Sequence, residues 1–204
     1  MRRVLVLAIM ALALPIAAWA DGINLTNKFG SISISAAGIS SHGSQLTKYN
    51  SITAAHGHSL GTVSFSTGAC LTNCGNLNAG NSTFSDVGSS FVITGCCNSH
   101  IYHGVIFSGS FVGAVTWTLD AASTKGNRIF DLTGTIAGML YNGRWVTGTT
   151  TQQFFTTAPQ LGNGVAHIRM GNTHLVVPEP GTLGLLGTGL VGIAGMFRRK
   201  LLTT

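Results

Sequence analysis

The sequence predicts an all-β domain, for which an antiparallel β-sandwich fits best and a β-barrel or β-solenoid is the alternative. First, polar and apolar residues alternate along short stretches such as Ser31-Ile32-Ser33-Ile34-Ser35. Second, β-branched and aromatic residues fill these stretches, while Gly, Asn and Ser lie between them. Third, no window between residues 21 and 177 has a convincing helical period. Alternation with a period of two, broken by turn residues, predicts antiparallel strands, and many short strands are typical of sandwiches and barrels.

The strand pattern recurs along most of the central region. The predicted strands are residues 31–35, 62–66, 91–94, 105–111, 115–119, 129–140, 145–157 and 166–176. The stretch from residue 21 to residue 61 is poorer in large apolar residues and rich in Ser and Gly. We therefore expect this stretch to hold one or two edge strands and long loops.

Glycine and asparagine pairs mark the predicted turns at 75–76, 80–81, 126–127 and 142–143. Asn142-Gly143 fits a tight hairpin between residues 136–141 and 144–149, because both residue types tolerate positive φ. We find no strong internal repeat and no second domain. The 157 residues from 21 to 177 are enough for one domain with its own core.

The N-terminus has the three parts of a secretory signal peptide. Arg2 and Arg3 form a positive region, residues 4–14 are apolar, and Ala18-Trp19-Ala20 is a small-x-small cleavage site. The signal peptide is therefore predicted to span residues 1–20, with signal peptidase as a partner and Asp21 as the first mature residue. An uncleaved membrane anchor is the alternative.

The C-terminal region, residues 177–200, is predicted to contain a membrane span at about 181–197. Residues 182–197 carry no charge, and these 16 residues would extend about 24 Å as a helix. That length is short of a hydrocarbon core of about 30 Å, but basic flanks can snorkel and a bilayer can thin. The triplet Arg198-Arg199-Lys200 is a stop-transfer signal, expected on the cytoplasmic side. A buried core helix is the alternative.

The same region resembles a known sorting signal. Pro178-Glu179-Pro180, a glycine-rich apolar run and the terminal basic triplet follow one another at the C-terminus. The combination resembles the PEP-CTERM sorting signal of Gram-negative bacteria. The resemblance implies that an exosortase, a membrane-embedded cysteine protease-transpeptidase, recognises the segment from Val177 to Pro180. It also implies an inner-membrane precursor that is later moved to the cell surface or outside the cell, often alongside exopolysaccharide.

The charge of the chain comes largely from its two ends. The formal net charge is +6, but residues 21–177 carry six Lys or Arg and four Asp. The central region contains no basic stripe, so the sequence predicts no nucleic-acid partner. The high isoelectric point reflects the terminal signals.

The four cysteines are predicted to form disulfides, because an even number of thiols in an exported protein is typical of a disulfide framework. Adjacent cysteines pair only through a small ring. We therefore expect Cys96 and Cys97 to bond to Cys70 and Cys74, and the sequence leaves the connectivity open. The alternative is a zinc site, since Cys96 and Cys97 lie within eight positions of His100 and His103. Export into an oxidising compartment disfavours the thiolates that zinc requires, so no metal and no other cofactor is predicted.

Candidate catalytic groups are few. The chain has no Gly-x-Ser-x-Gly elbow. Beyond Asp21 the central region offers only Asp86, Asp120 and Asp131 for the carboxylate pair that glycosidases need. The sequence therefore predicts that the protein is not an enzyme and has no catalytic residues, and a histidine beside one of these carboxylates would favour catalysis.

The predicted function is structural or adhesive, at the cell surface or in an extracellular matrix rich in exopolysaccharide. The alternatives are a secreted carbohydrate-active enzyme and an ice-binding protein, a label also given to similar tails. Threonines at 116, 118, 133, 135, 147, 149 and 151 favour ice binding only if they form a flat array. Threonine is also an ordinary outward residue on strands. An exposed aromatic platform involving Trp117, Trp145 or Tyr102 would favour glycan binding.

Overall fold

The computed structural model describes residues 22–124, 126–156 and 165–177. These residues form strands joined by turns, with one short 3-10 turn at Leu77–Ala79. The strands are β1 (Gly22–Lys28), β2 (Ser31–Ser35), β3 (Gly38–His42), β4 (Gln45–Tyr49), β5 (Ile52–Thr53), β6 (Gly61–Ser66), β7 (Cys70–Thr72), β8 (Asn81–Phe84), β9 (Ser90–Gly95), β10 (Gly104–Leu119), β11 (Arg128–Leu140), β12 (Trp145–Thr156) and β13 (Val165–Val176). The prediction of an all-β domain is confirmed.

The sheet closes into an eight-stranded antiparallel barrel. Its wall runs β1, β4, β6, β9, β10, β11, β12 and β13, and β13 pairs again with β1. Asn24 of β1 lies opposite His174 of β13. The sandwich prediction is wrong and the barrel alternative is correct, because pairing of the first strand with the last removes both sheet edges.

Two hairpin strands in the first part of the barrel are each interrupted once. β1 and β2 both pair with β13 and together form one broken strand, while β3 and β4 form its broken partner. The break lies at Phe29 and Gly30, both with positive φ, and the Gly30 carbonyl still accepts a hydrogen bond from the Ile168 amide at 2.9 Å. A Cβ at Gly30 would meet the backbone of His42 and Ser44, so this position requires glycine. The expectation of edge strands and long loops before residue 61 is therefore wrong.

The strands β7 and β8 are an insertion between β6 and β9. β10 is long enough to pair with two neighbours on one side, β9 along residues 104–109 and β8 along residues 115–118. The register of β10 with β11 shifts between Val112 and Thr116. In the same part of β10 its other neighbour changes from β9 to β8. A bulge of this kind bends and twists a strand, as barrel closure requires.

Aromatic side chains fill the interior along β6 and β9–β12. Phe91 packs against Phe65, Phe107 and Phe111, with ring centroids 5.8–6.3 Å apart. Trp117 stacks on Phe130 at 4.8 Å and donates its indole N–H to the carbonyl of Leu77 at 2.9 Å. Because both its ring and its N–H have partners inside the protein, Trp117 is a core residue and does not belong to a surface platform.

Polar side chains occupy the other part of the interior, where β1 meets β12 and β13. Asn27 Nδ2 donates to Ser44 Oγ and to Gln152 Oε1, both at 2.8 Å. Gln152 Nε2 donates to Thr150 Oγ1 at 2.9 Å, and that hydroxyl shares a hydrogen bond with Thr173 Oγ1, also at 2.9 Å. All five side chains are buried and their polar atoms are satisfied. A buried polar network that is fully paired fixes the register of the strands that carry it.

The predicted signal peptide, 1–20, and the predicted membrane helix, at about 181–197, lie outside the described residues. Within the described ranges the structure contains no helix with the length and apolarity needed to cross a bilayer. The barrel extends to Val177, whose side chain is buried in the core.

Candidate functional site

The disulfides join near neighbours in sequence. Cys70 is bonded to Cys74 and Cys96 to Cys97, with Cα–Cα distances of 5.7 and 3.8 Å. The expected bridges between the two pairs are therefore wrong. β6 and β9 are antiparallel, with Ser66 opposite Ser90 and Gly61 opposite Gly95. The segments after the two strands thus leave opposite ends of the barrel, about 20 Å apart for strands of six residues.

The Cys96–Cys97 disulfide begins a short ordered loop between β9 and β10. Asn98 closes the loop: its side-chain oxygen accepts from the His100 amide at 2.8 Å and its carbonyl from the Ile101 amide at 3.2 Å. A ring nitrogen of His103 lies 3.0 Å from the same carbonyl. Ile101 is buried in the core, so the loop is anchored to the barrel. These contacts hold Tyr102, which comes next in the chain, against the surface.

Tyr102 stacks on Tyr141, the first residue of the turn between β11 and β12. The ring centroids are 4.5 Å apart and the planes differ by 18°. The predicted Asn142-Gly143 hairpin is confirmed, with Gly143 at φ 77° and its amide donating to the Leu140 carbonyl at 2.9 Å. The Tyr141 amide also donates to the Ile106 carbonyl at 2.9 Å, which fixes the turn against β10.

Trp145 follows the same turn and begins β12. Its side chain is 59% exposed, and those of Tyr102 and Tyr141 are 50% and 54% exposed. Trp145 lies opposite the exposed Met139 in the ladder, where cross-strand side chains are in reach of one another. We call Tyr102, Tyr141 and Trp145 the aromatic platform. Exposed aromatic residues grouped at one end of a monomer are typical of an interaction site.

The threonines of the outer face form rows across neighbouring strands. Thr83, Thr116, Thr133 and Thr151 lie opposite one another in successive pairs, and Asn172 continues the row on β13. Thr135 and Thr149 begin a parallel row. The sequence shows the threonines that alternate within each strand. It does not show their alignment across strands, because that alignment depends on strand register.

A groove on the outer surface of β1 and β4 collects positive charge. The groove has a volume of about 580 Å³, and its lining includes Lys28, Lys48, His56 and His58 together with the exposed ring of Phe29. A second groove of about 300 Å³ shares Thr26 and Lys48 with the first and continues over β13 and β12. None of the described residues that line these two grooves is acidic.

The carboxylates that could support catalysis have structural partners. Asp86 accepts from the Gly113 amide at 2.8 Å, and Asp120 accepts from the Ala122 amide and from Gln153, at 2.8 and 3.0 Å. Burial raises the pKa of Asp131 above its ordinary value of 3.8, opposed by a hydrogen bond to Gln153 and aided by the nearby Asp120 charge. In the hydrogen bonds of the described region, these three carboxylates contact amides rather than histidines.

The proposed metal ligands are not assembled into a site. Both thiols of the Cys96–His103 segment are in a disulfide, so neither can act as a thiolate ligand. Among the described residues, no group of three or more His, Cys, Asp or Glu side chains is placed to hold a metal ion.

Comparison with known proteins identifies the C-terminal region and nothing else. The PEP-CTERM protein-sorting motif matches residues 176–200. No curated protein and no solved structure matches the chain. The motif confirms the resemblance drawn from Pro178-Glu179-Pro180, and it implies sorting by an exosortase and targeting to the cell surface. The predicted processing and signal residues Ala18, Ala20, Asp21, Pro178, Glu179, Pro180, Arg198, Arg199 and Lys200 lie outside the described residues.

Trp145 and Tyr102 are candidates for an exposed aromatic platform from the sequence, whereas Tyr141 and Phe29 are not. Tyr141 adjoins the predicted Asn142-Gly143 turn, so its position at a loop tip was a usable signal. The sequence gives no indication that Phe29 is exposed at a strand break, because a positive φ at a bulky residue cannot be predicted from residue type.

Proposed function

We propose that this exported barrel is a structural or adhesive component of the cell surface or extracellular matrix, and that it contacts exopolysaccharide through the aromatic platform. The observation that carries the proposal is the stacked pair of Tyr102 and Tyr141 at the same hairpin as Trp145, all about half exposed. Flat rings with polar edges offer an apolar face to the C–H face of a sugar and a donor to its hydroxyls.

The way the platform is held also supports binding. Asn98, the Cys96–Cys97 disulfide and the buried Ile101 order the loop before any ligand arrives. The Asn142-Gly143 turn does the same for Tyr141. Ordering the binding groups in advance reduces the entropy lost on association, so even a few rings can retain a polymer.

Ice binding is the second candidate, favoured by the threonine rows that are in register across β8, β10, β11 and β12. The closed wall works against it. In a barrel of eight strands each strand is turned by roughly 45° from its neighbour around the axis, so a flat lattice touches only two or three strands. A flexible polysaccharide can follow that curve, which is why we rank glycan contact first.

Sorting would follow from two terminal signals. We propose cleavage after Ala20 by signal peptidase, retention of the precursor in the inner membrane by residues 181–197, and exosortase processing between Val177 and Pro180. Alanine at Pro178, Glu179 and Pro180 should leave export intact and block processing, so that a heavier precursor collects in the inner membrane. Immunoblots of fractionated cells measure the amount of precursor in the inner membrane. Normal trimming of the triple variant would show that processing does not require the Pro178-Glu179-Pro180 motif.

The glycan proposal is tested by binding the full chain to exopolysaccharide purified from the cells that make it. The double variant Tyr141→Ala/Trp145→Ala should weaken binding about tenfold or more, since each ring lost costs on the order of 1 kcal/mol. Leu71→Ala, which removes an exposed apolar side chain from β7, is the matched control and should bind as the wild type does. Equal binding by the platform variant and the wild type would overturn the proposal.

A further inference from the structure

The groove over β1 and β4 is lined by two lysines, and its described lining residues include no carboxylate. Thr26 lies opposite Lys48 and Lys28 lies opposite Gln45, with a register shift between the two pairs. Both lysines line the same groove. Two like charges in one groove repel each other, and an anion bound between them relieves the repulsion. His56 and His58 add ring nitrogens to the same groove.

Phe29 at the edge of this groove is held in an unfavourable backbone conformation. Its φ is 65°, and its side chain is 59% exposed, so burial of the ring does not explain the conformation. The left-handed region is unfavourable for a bulky residue, and such outliers concentrate at functional sites. The break between β1 and β2 thus directs an aromatic ring into a cationic groove.

The lining continues as a polar track around the barrel wall. Thr26 and Lys48 join the first groove to the second, which is lined by Asn24, Thr149, Thr151, Asn172 and His174 among others. From β4 across β1 and β13 to β12, three strand spacings amount to about 14 Å. A track of that length accommodates several sugar units of a polymer and is longer than a small anion needs.

We infer that this track is a binding site for an acidic polysaccharide, with the lysines pairing with sugar carboxylates, Phe29 stacking on a sugar face and the Thr and Asn side chains bonding hydroxyls. The inference goes beyond the proposed function, which depends on the aromatic platform alone. The two sites lie at different positions on the wall: Trp145 of the platform begins β12, whereas the track crosses β12 at Thr149 and Thr151 and has its two lysines on β1 and β4.

The test measures binding of the full chain to polygalacturonate and to neutral dextran of matched length by calorimetry. We expect polygalacturonate to bind at least about tenfold more tightly at low ionic strength, and the preference to shrink at about 0.5 M salt because exposed charges are then screened. Equal affinity for the two polymers would overturn the inference. A preference for phosphatidylglycerol over phosphatidylcholine vesicles as large as the preference for polygalacturonate over dextran would overturn it too, because any anionic surface would then suffice.

Charge variants locate the site. Lys28→Gln/Lys48→Gln should weaken polygalacturonate binding about tenfold, while Lys28→Arg/Lys48→Arg should retain it. Arg169→Gln removes one positive charge from an exposed position on β13 and is the control for a loss of charge outside the groove. It should leave the affinity for polygalacturonate unchanged. An unchanged affinity in the double glutamine variant would refute the assignment.

Phe29→Gly separates a binding role from a structural one. Glycine adopts this φ without steric cost, so the midpoint of thermal unfolding should rise. The affinity for polygalacturonate should fall several-fold, because the aromatic ring is lost. Undiminished binding would exclude the ring from the site. The platform variant Tyr141→Ala/Trp145→Ala should bind polygalacturonate as the wild type does, so the two proposals fail independently.

Discussion

The two halves of the barrel interior are built from different chemistry. Along β6 and β9–β11 the interior is a cluster of aromatic rings centred on Phe91. Along β1, β12 and β13 it contains a paired amide and hydroxyl network centred on Gln152. The aromatic platform lies at the β9–β10 loop and the β11–β12 turn, and the cationic groove lies on the outer face of β1 and β4.

The difference shows where a barrel wall can be irregular. β1 and β2 are interrupted at Phe29 and Gly30, and their neighbours at Gly43 and Ser44, all in the polar half. Ser44 turns its hydroxyl inward to Asn27 beside this interruption. Directional hydrogen bonds between buried side chains help to fix the register beside the interruption. Phe29, at the interruption, lines the larger of the two grooves on the outer face.

The largest loss of folding stability is expected from removing a ring of the aromatic cluster. Phe91→Ala removes a fully buried ring that contacts three others and leaves a cavity, at a cost of about 3–5 kcal/mol. Urea unfolding of the full chain, followed by tryptophan fluorescence, measures the loss. A cost below about 1 kcal/mol would show that the rings do not form one packed unit.

A smaller effect is expected from the polar half. Gln152→Ala removes the donor to the buried Asn27 Oδ1 and one partner each from Asn27 Nδ2 and the Thr150 hydroxyl, which keep Ser44 and Thr173, at a cost of about 1–3 kcal/mol. The double variant Asn27→Leu/Gln152→Leu removes both amides and should recover part of that loss. If the single and double variants were equally destabilised by urea, unsatisfied hydrogen bonds would not be the reason and the contrast between the halves would be weaker.

The smallest effect concerns the outer surface. The pKa of Asp131 is raised by burial, so the folded state holds the proton more tightly than the unfolded state does. The stability that this provides is complete at pH below the ordinary value and is lost as pH rises through the raised pKa. Asp131→Asn should therefore stabilise the protein by ~0.3 kcal/mol at neutral pH, because the half-buried group is partly screened, and have no effect at pH near 3. Thermal unfolding at the two pH values checks this, and an equal gain at both would rule out ionisation as its cause.

Local pattern was enough to predict strands and one turn. The alternation at Ser31–Ser35 and the Asn142-Gly143 pair gave the strand β2 and the β11–β12 hairpin. Barrel closure was not predictable, because it depends on backbone pairing of residues such as Asn24 and His174, which are 150 positions apart. Backbone hydrogen bonds have no residue signature, so a sheet that closes and a sheet that stacks on another look alike in sequence.

Residue type was also misleading where tertiary contacts decide exposure. Asn27 reads as an outward polar residue but lies in the core, since Ser44 and Gln152 satisfy its amide. Trp117 was a candidate for the platform, yet the Leu77 carbonyl meets its N–H inside the protein. The cysteines were predicted to pair between the two segments because adjacent cysteines close only a small ring, yet the antiparallel strands β6 and β9 place the two segments at opposite ends of the barrel.

Closure through the last strand also constrains when the chain can fold. β1 must wait for β13, about 150 residues later in the chain, before it gains its second neighbour. Pairing at that separation is slow to form, and an unfinished barrel exposes two unpaired edges. Val177 belongs to the core, and the motif residue Pro178 follows it directly. The order of events is therefore set by the chain itself: nearly all of it must cross the membrane before the barrel is complete. A cut between Val176 and Val177 would remove a core residue, so we expect it to destabilise the barrel.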